Sequence, residues 1–305
     1  MKKNSQISIT DLLQLEAIST GPEFFRRQRV SGLLSGKHRS SLKGRGLDFS
    51  EVRKYILGDD IRNIDWKVTA RTRVTHTKVF SEEKERPQLT ILDLSRNTLF
   101  GSKYALKCHI VLKVAAIHGF RALKIGDRFG AILLDDLNIQ IVKPSRSRQH
   151  FQAILDHAVT TCNEATSRAQ DAQPQVTMEE ALSRLLGIAH HDYIINIVTD
   201  ASLLSEQSIE FIGMLAQSNS VMITHIIDPF DILLPEEKIP FSDTNYQIDW
   251  KIDNDSQEEY KQVYLNQLSD LEDKLAALNV PFLKLRTDKD LKHQLKEILD
   301  ENYQR

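Results

Sequence analysis

The chain has only two cysteines, Cys108 and Cys162, and they form neither a C-x-x-C pair nor a finger-type spacing. That arithmetic excludes a disulfide framework or a locally spaced zinc motif as the support of the fold. It predicts two free thiols inside helical stretches, packed as small core residues in a reducing compartment. An apolar leader is missing too: MKKNSQISIT lacks the hydrophobic region of a secretory signal. No run approaches the roughly 20 apolar residues that cross a bilayer, so the expectation is a cytoplasmic protein. Catalytic signatures are equally scarce. There is no G-x-S-x-G elbow to make a hydrolase of His109, His118, His190, His191 or His225. There is no G-x-x-x-x-G-K-[ST] or G-x-G-x-x-G loop to hold a nucleotide, so any ATP hydrolysis belongs to a partner. Internal repeats and low-complexity tracts are absent.

What is present is a chain of 305 residues, long enough to bury a core without staples, with an uneven charge distribution. Residues 1–87 carry 18 Lys and Arg against 11 Asp and Glu, so the formal net charge of -2 conceals a basic front and an acidic remainder. The basic part, with Arg26, Arg27, Arg29, Lys37, Arg39, Lys43 and Arg45, could attract nucleic acid or an acidic partner. Many of its arginines alternate with acids, which favours internal pairing, and no recognition helix or aromatic platform accompanies them.

The densest stretch is Gly44–Thr72, GRGLDFSEVRKYILGDDIRNIDWKVTART. It mixes charges with Phe49, Tyr55 and Trp66 and keeps no sustained helical or strand period. Nothing in it has metal or acid/base spacing. The expectation is a clasp whose carboxylates and guanidiniums pair with one another and brace the three aromatics against the domain that follows. Upstream, ITDLLQLEAI reads as a short amphipathic helix, and Phe24, Phe25 and Leu33 read as docking on the domain.

From Pro87 the pattern alternates strands and helices. The spacing predicts strands at 88–95, 128–136, 138–145, 193–200, 221–228 and 282–288. Helices are predicted at 103–125 (with Gly101-Ser102 as its cap), 148–164, 178–190 and 205–218, from Lys289 onward, and along the Tyr260 to Leu278 stripe. Residues 230–254 read as an inserted loop or lid. This pattern gives an N-terminal extension over 1–86 and, over 87–305, an α/β domain with a doubly wound, mostly parallel sheet.

Ligands of such sheets collect at the carboxyl ends of the strands. There Asp93 ends one strand in D-L-S-R-N-T and Asp200 another in V-T-D-A-S, with Ser95, Asn97 and the loop residue Thr177 within reach. These are hard oxygen donors suited to Mg²⁺. The competing use of the same residues is capping: an Asp or Ser after a strand caps the next helix, and Thr177 with Glu180 has capping-box spacing. A phosphoaspartate mechanism would need a second Asp where this chain has Ser95.

The arrangement resembles the metal-ion-dependent adhesion site of von Willebrand factor A domains. Asp93, Ser95, Thr177 and Asp200 match its ligands, and Asn97 departs from the pattern by replacing the second serine. The run G-x-DF-x-EVR-x-Y-x-x-GDD-x-R-x-IDW-x-x-TAR, followed by F-S-E-E and the D-x-S strand, resembles the bacterial domain-of-unknown-function family number 58. Members of that family are typically encoded beside MoxR-type AAA+ ATPases and are thought to act with them as adaptor or chaperone-like components, without an established catalytic activity. The resemblance therefore implies a Rossmann-type, von Willebrand factor A-like interaction module, not an enzyme, that partners a MoxR-type ATPase or a client protein. A metal-dependent hydrolase using Asp93 and Asp200, or a nucleic-acid binder using the basic front, are the alternatives.

Overall fold

The structure is a computed structural model and describes residues 6–19, 47–82, 86–168, 174–233, 239–243, 246–250 and 254–301. Two short helices, α1 (Ile9–Leu13) and α2 (Glu16–Ser19), come first, followed by β1 (Leu47–Lys54), α3 (Trp66–Thr72) and β2 (His76–Glu82). Then follow β3 (Pro87–Asp93), α4 (Lys107–Lys124), β4 (Arg128–Leu134), β5 (Ile139–Ser145), α5 (Arg148–Ser167), α6 (Met178–Leu186) and β6 (Ile194–Thr199). The chain continues through α7 (Glu206–Ala216), β7 (Ser220–Ile227), α8 (Pro229–Ile232), β8 (Ile239–Asp243), β9 (Tyr246–Trp250), α9 (Asn254–Ala277), β10 (Phe282–Arg286) and α10 (Leu291–Glu301).

Six strands form the central sheet in the order β10-β7-β6-β3-β4-β5. All neighbours are parallel except β5, which returns antiparallel beside β4. Strands buried on both faces need continuous apolar runs, and β3 is buried at every position. Its side chains alternate between two cores. Leu92, with Leu133, Val198 and Leu285, packs under α4 and α5. Leu89 and Ile91, with Ile132, Ile195 and Ile223, pack under α6, α7 and α9. The result is an α/β, doubly wound, mostly parallel sheet with helices on both faces. Where α4 crosses α5, Gly119 is obligatory, because a Cβ there would lie 2.1 Å from the Phe151 ring.

Contacts divide the described residues into two units, with 47–82 as one and 6–19 together with the sheet as the other. The first segment is tied to the sheet unit through Asn163, which accepts from the Ile7 N–H at 3.3 Å and donates to the Ile7 carbonyl at 3.0 Å. Leu12 is fully buried there. The expected single helix over 9–18 is two short ones, the first opened by a Ser8–Asp11 capping box.

The 47–82 unit is an antiparallel hairpin of β1 and β2 carrying α3. Its register skips Ser50 between Phe49 and Glu51, and this bulge erases the strand period from the sequence. Charge pairing within it is as expected: Arg53 clasps Asp59 through two bonds of 2.8 and 2.7 Å. Asp65 caps α3 by accepting from the Lys67 and Val68 N–H groups at 3.0 Å each. Trp66 departs from the expectation. It occupies the first position of α3 and is 70% exposed. Phe24, Phe25, Leu33 and the basic residues Arg26 to Arg45 lie outside the described residues.

Three boundaries also differ. α4 begins at Lys107 and not at Lys103, with Leu106 at its N-cap, and Ser102 caps no helix; its N–H donates to Asp228 Oδ2 at 2.9 Å. α6 stops at Leu186, where Gly187 forms the C-cap. Within the stretch read as a loop or lid lie α8, begun by Pro229 behind an Asp228–Asp231 capping box, and the hairpin of β8 and β9. Among the described residues no helix is long and apolar enough to cross a membrane.

Candidate functional site

Each of the five parallel strands runs out into an aspartate: Asp93 on β3, Asp135 after β4, Asp200 after β6, Asp228 after β7 and Asp288 beyond β10. Parallel pairing places these ends on one edge of the sheet. Most of these carboxylates are spent on local structure. Asp135 Oδ1 accepts from the Leu137 and Asn138 N–H groups at 2.9 and 2.7 Å and so closes the turn into β5. Asp228, fully buried, receives Ser102 N–H, Phe230 N–H and the Thr287 hydroxyl.

Asp93 is buried, and both of its oxygens are engaged. Oδ1 accepts from the Ser95 N–H at 3.0 Å and the Ser95 hydroxyl at 2.6 Å, while Oδ2 accepts from the Thr199 hydroxyl at 2.5 Å. Burial pushes its carboxyl above the ordinary range against the pull of these hydroxyls, and the negative charge of Asp200 adds to the rise. Thr98 closes the turn by donating to the Asp93 carbonyl at 2.8 Å.

Asp200 is the centre of a second cluster. Its Oδ1 receives the Ser202 N–H at 3.2 Å and the Ser202 hydroxyl at 2.6 Å, and its Oδ2 lies 2.5 Å from Lys107 Nζ. Lys107 is only 2% exposed, at the first turn of α4, and its ammonium also meets Asp231 Oδ2 at 2.7 Å. Burial alone would depress this lysine, but the two carboxylates outweigh it and hold the ammonium above its ordinary value. Asp231 is raised by burial, partly offset by Lys107.

His225, fully buried on β7, stacks on Phe282 and spans the cluster. Its Nδ1 accepts from the Ala201 N–H at 3.0 Å, which leaves the proton on Nε2 to donate to Tyr264 Oη at 3.0 Å. Burial brings it down to about 4, so the ring is neutral near neutral pH. Asp200 Oδ1 lies 3.7 Å away, but no serine hydroxyl completes a triad, because Ser202 is turned to Asp200.

The structure thus brings together Asp93, Ser95 and Asp200 of the residues singled out in the sequence. Asn97 is exposed in the one-turn helix Arg96–Thr98. Thr177 is exposed as the N-cap of α6, accepting from the Glu180 N–H at 3.4 Å, the capping use its spacing suggested. Lys107 and Asp231 were not marked in the sequence, whereas His225 was weighed there only as a hydrolase histidine and Tyr264 only as part of the apolar stripe of its helix. Asp231 carried a local signal, the D-P-F-D capping box, whereas a lysine in an apolar helix ordinarily reads as a solvent-facing residue.

This donor set does not fit a divalent cage as it stands. Both Asp93 oxygens are taken by hydroxyl and amide donors, Thr177 Oγ1 caps its own helix, and an ammonium occupies the cationic position against Asp200. A cation beside Asp200 would have to meet the lysine charge in a buried site, where like charges repel strongly.

The edge is also apolar at its rim. Phe100 after β3, Leu203 after β6 and Leu233 after α8 are 45%, 58% and 52% exposed. Phe100 pairs with Phe230 at a ring-centroid distance of 6.1 Å, so the loops after β3 and β7 form one surface.

Comparison with known proteins gives a family and relatives whose printed names state no reaction. Uncharacterized protein Mb1516 of Mycobacterium bovis is 24% identical over 267 residues, covering 87% of this chain and 82% of the relative. Uncharacterized proteins MT1527 and Rv1480 of Mycobacterium tuberculosis match with the same identity and coverage. Residues 51–270 match the family described as Protein of unknown function DUF58, a span that takes in the hairpin unit and most of the sheet unit, and the chain belongs to that family.

Proposed function

We propose that this protein is a non-catalytic, von Willebrand factor A-like interaction module that binds a MoxR-type AAA+ ATPase in the cytoplasm, acting as its adaptor or chaperone-like component. The observation that carries this reading is the carboxyl edge, where exposed Phe100, Leu203 and Leu233 surround carboxylates whose oxygens are already occupied. Apolar side chains gathered on one rim favour association with another protein. A hydrolase using Asp93 and Asp200 would need a carboxylate or imidazole open to substrate, and here Asp93, Asp200 and His225 are buried and bonded. The tendency of family members to be encoded beside MoxR-type ATPases supplies the partner class.

The same reading makes the edge independent of Mg²⁺, with the Lys107 ammonium bringing the positive charge that an adhesion-type ion would bring. A pull-down with tagged protein tests the proposal. An AAA+ ATPase is expected with wild type, reduced by Leu203→Asp and retained with Arg53→Ala; equal recovery across all three, or no ATPase at all, contradicts it. Salt-sensitive retention on DNA would instead favour the basic front as a nucleic-acid site.

A further inference from the structure

We propose that Cys108, His109 and Cys162 form a binding site for a soft divalent cation, Zn²⁺ by preference, between the first turn of α4 and the facing turn of α5. The ligand atoms of the three residues all lie within 4.8 Å of one another, and all three residues are buried. The two sulfurs are 2.9 Å apart and have to part to about 3.7 Å, the separation that two tetrahedral Zn–S bonds of about 2.3 Å set, to share an ion. The imidazole is what favours the ion. His109 is 5% exposed and its buried Nε2 has no hydrogen-bond partner among the described residues, a costly vacancy for a polar atom. A thiol pair or a disulfide has no use for that nitrogen, whereas a thiolate-bound metal does.

The surroundings choose the charge of the ion. Cys108 and Cys162 belong to the apolar core under α4 and α5. Two thiolates and a neutral imidazole cancel a divalent charge completely, while a monovalent ion would leave a buried net charge, which is expensive. Binding balances by releasing the two thiol protons to solvent as two metal–sulfur bonds form. His109 also lines a cavity of about 750 Å³ together with Asp11, Lys113 and Lys289. Three protein donors leave one coordination position for water. Because Lys107 precedes Cys108, an ion here also fixes the turn that carries the buried ammonium.

The test uses the full chain, reduced and metal-free, titrated anaerobically with Co²⁺ and then Zn²⁺. One Co²⁺ per chain should bind with thiolate-to-cobalt charge-transfer absorption, and Zn²⁺ should abolish that absorption by displacement. Cys162→Ser and His109→Gln should each weaken binding by at least about tenfold, the loss that even outer-shell changes produce at metal sites. Cys162→Ser should also lose roughly half of the charge-transfer intensity, since one of two thiolates is gone. His109→Gln leaves both core cysteines in place, and its melting curve controls for folding. The proposal is overturned if wild type shows no charge-transfer absorption. Absorption unchanged in Cys162→Ser would overturn it too, as would thiol counting that finds Cys108 and Cys162 joined as a disulfide in the isolated protein.

Discussion

Replacing Lys107 by methionine removes the charge of the buried ammonium while nearly preserving its volume, so the loss reports electrostatics more than packing. In wild type the ammonium sits 2.5 Å from Asp200 and 2.7 Å from Asp231, and the lysine is almost wholly buried. Taking one partner out of a buried pair costs about 3–5 kcal/mol, because the remaining charge loses its compensation. The Asp231 side chain keeps 18% exposure, so water can solvate one of the two orphaned carboxylates. The expected loss is therefore near the lower end, about 3 kcal/mol. It should also depend on pH with a definite sign. Without the ammonium, Asp231, which burial already raises, loses the charge that offsets that rise. The folded state then binds more protons than the unfolded state, and the variant recovers stability as pH falls through that range. Urea unfolding of wild type and Lys107→Met at about pH 7 and about pH 5 measures this, and the gap between them should narrow at the lower pH. Adding Asp231→Asn to Lys107→Met should restore part of the loss. A destabilisation below about 1 kcal/mol, or one equal at both pH values, would refute the buried-cation reasoning.

Gly119→Ala should destabilise by about 1–3 kcal/mol, because its Cβ would fall 2.1 Å from the Phe151 ring; Phe151→Leu in the same chain should recover part of it in chemical denaturation. Acid should destabilise the protein through His118 and His225, which are brought down by burial to about 3 and about 4 from an ordinary value of 6.5. The unfolded chain binds their protons first, so stability is full above the unfolded value and is lost as pH falls towards the folded ones. The melting temperature followed against pH should show this slope, shallower in His225→Asn. Calorimetric titration with Mg²⁺ or Mn²⁺ should give no difference in heat between wild type and Asp93→Ala, since the Asp93 oxygens are already bonded; a wild-type isotherm absent from the variant would contradict the metal-independent edge.

The sheet was legible because β3, β6 and β7 are short, largely apolar runs, as strands covered on both faces require. Asp93 and Asp200 were legible as strand ends, and Thr177 as a cap, because capping is a local property of a few neighbouring residues. The Arg53–Asp59 clasp lies six positions apart and is similarly local. Lys107 was not legible, because its partner Asp200 is 93 residues away and only the sheet order brings them together. For the same reason Cys108 and Cys162, 54 residues apart, show no ligand spacing in the sequence although their sulfurs adjoin across α4 and α5. Local signals also misled. Gly101-Ser102 looks like a helix cap, yet the helix begins only at Lys107 behind Leu106, and the prolines at 229 and 240 disguised a short helix and a hairpin as a loop.

The central claim is that the carboxyl edge is a protein-binding surface with no catalytic group on it. Its most direct test is the affinity of the purified chain for a purified MoxR-type AAA+ ATPase, measured for wild type, Leu203→Asp and Arg53→Ala. Burying a Leu side chain contributes about 1.5–3 kcal/mol, so Leu203→Asp should weaken binding by at least about tenfold, with Arg53→Ala near wild type. Wild-type affinity retained by Leu203→Asp, or no measurable affinity in wild type, would contradict the account.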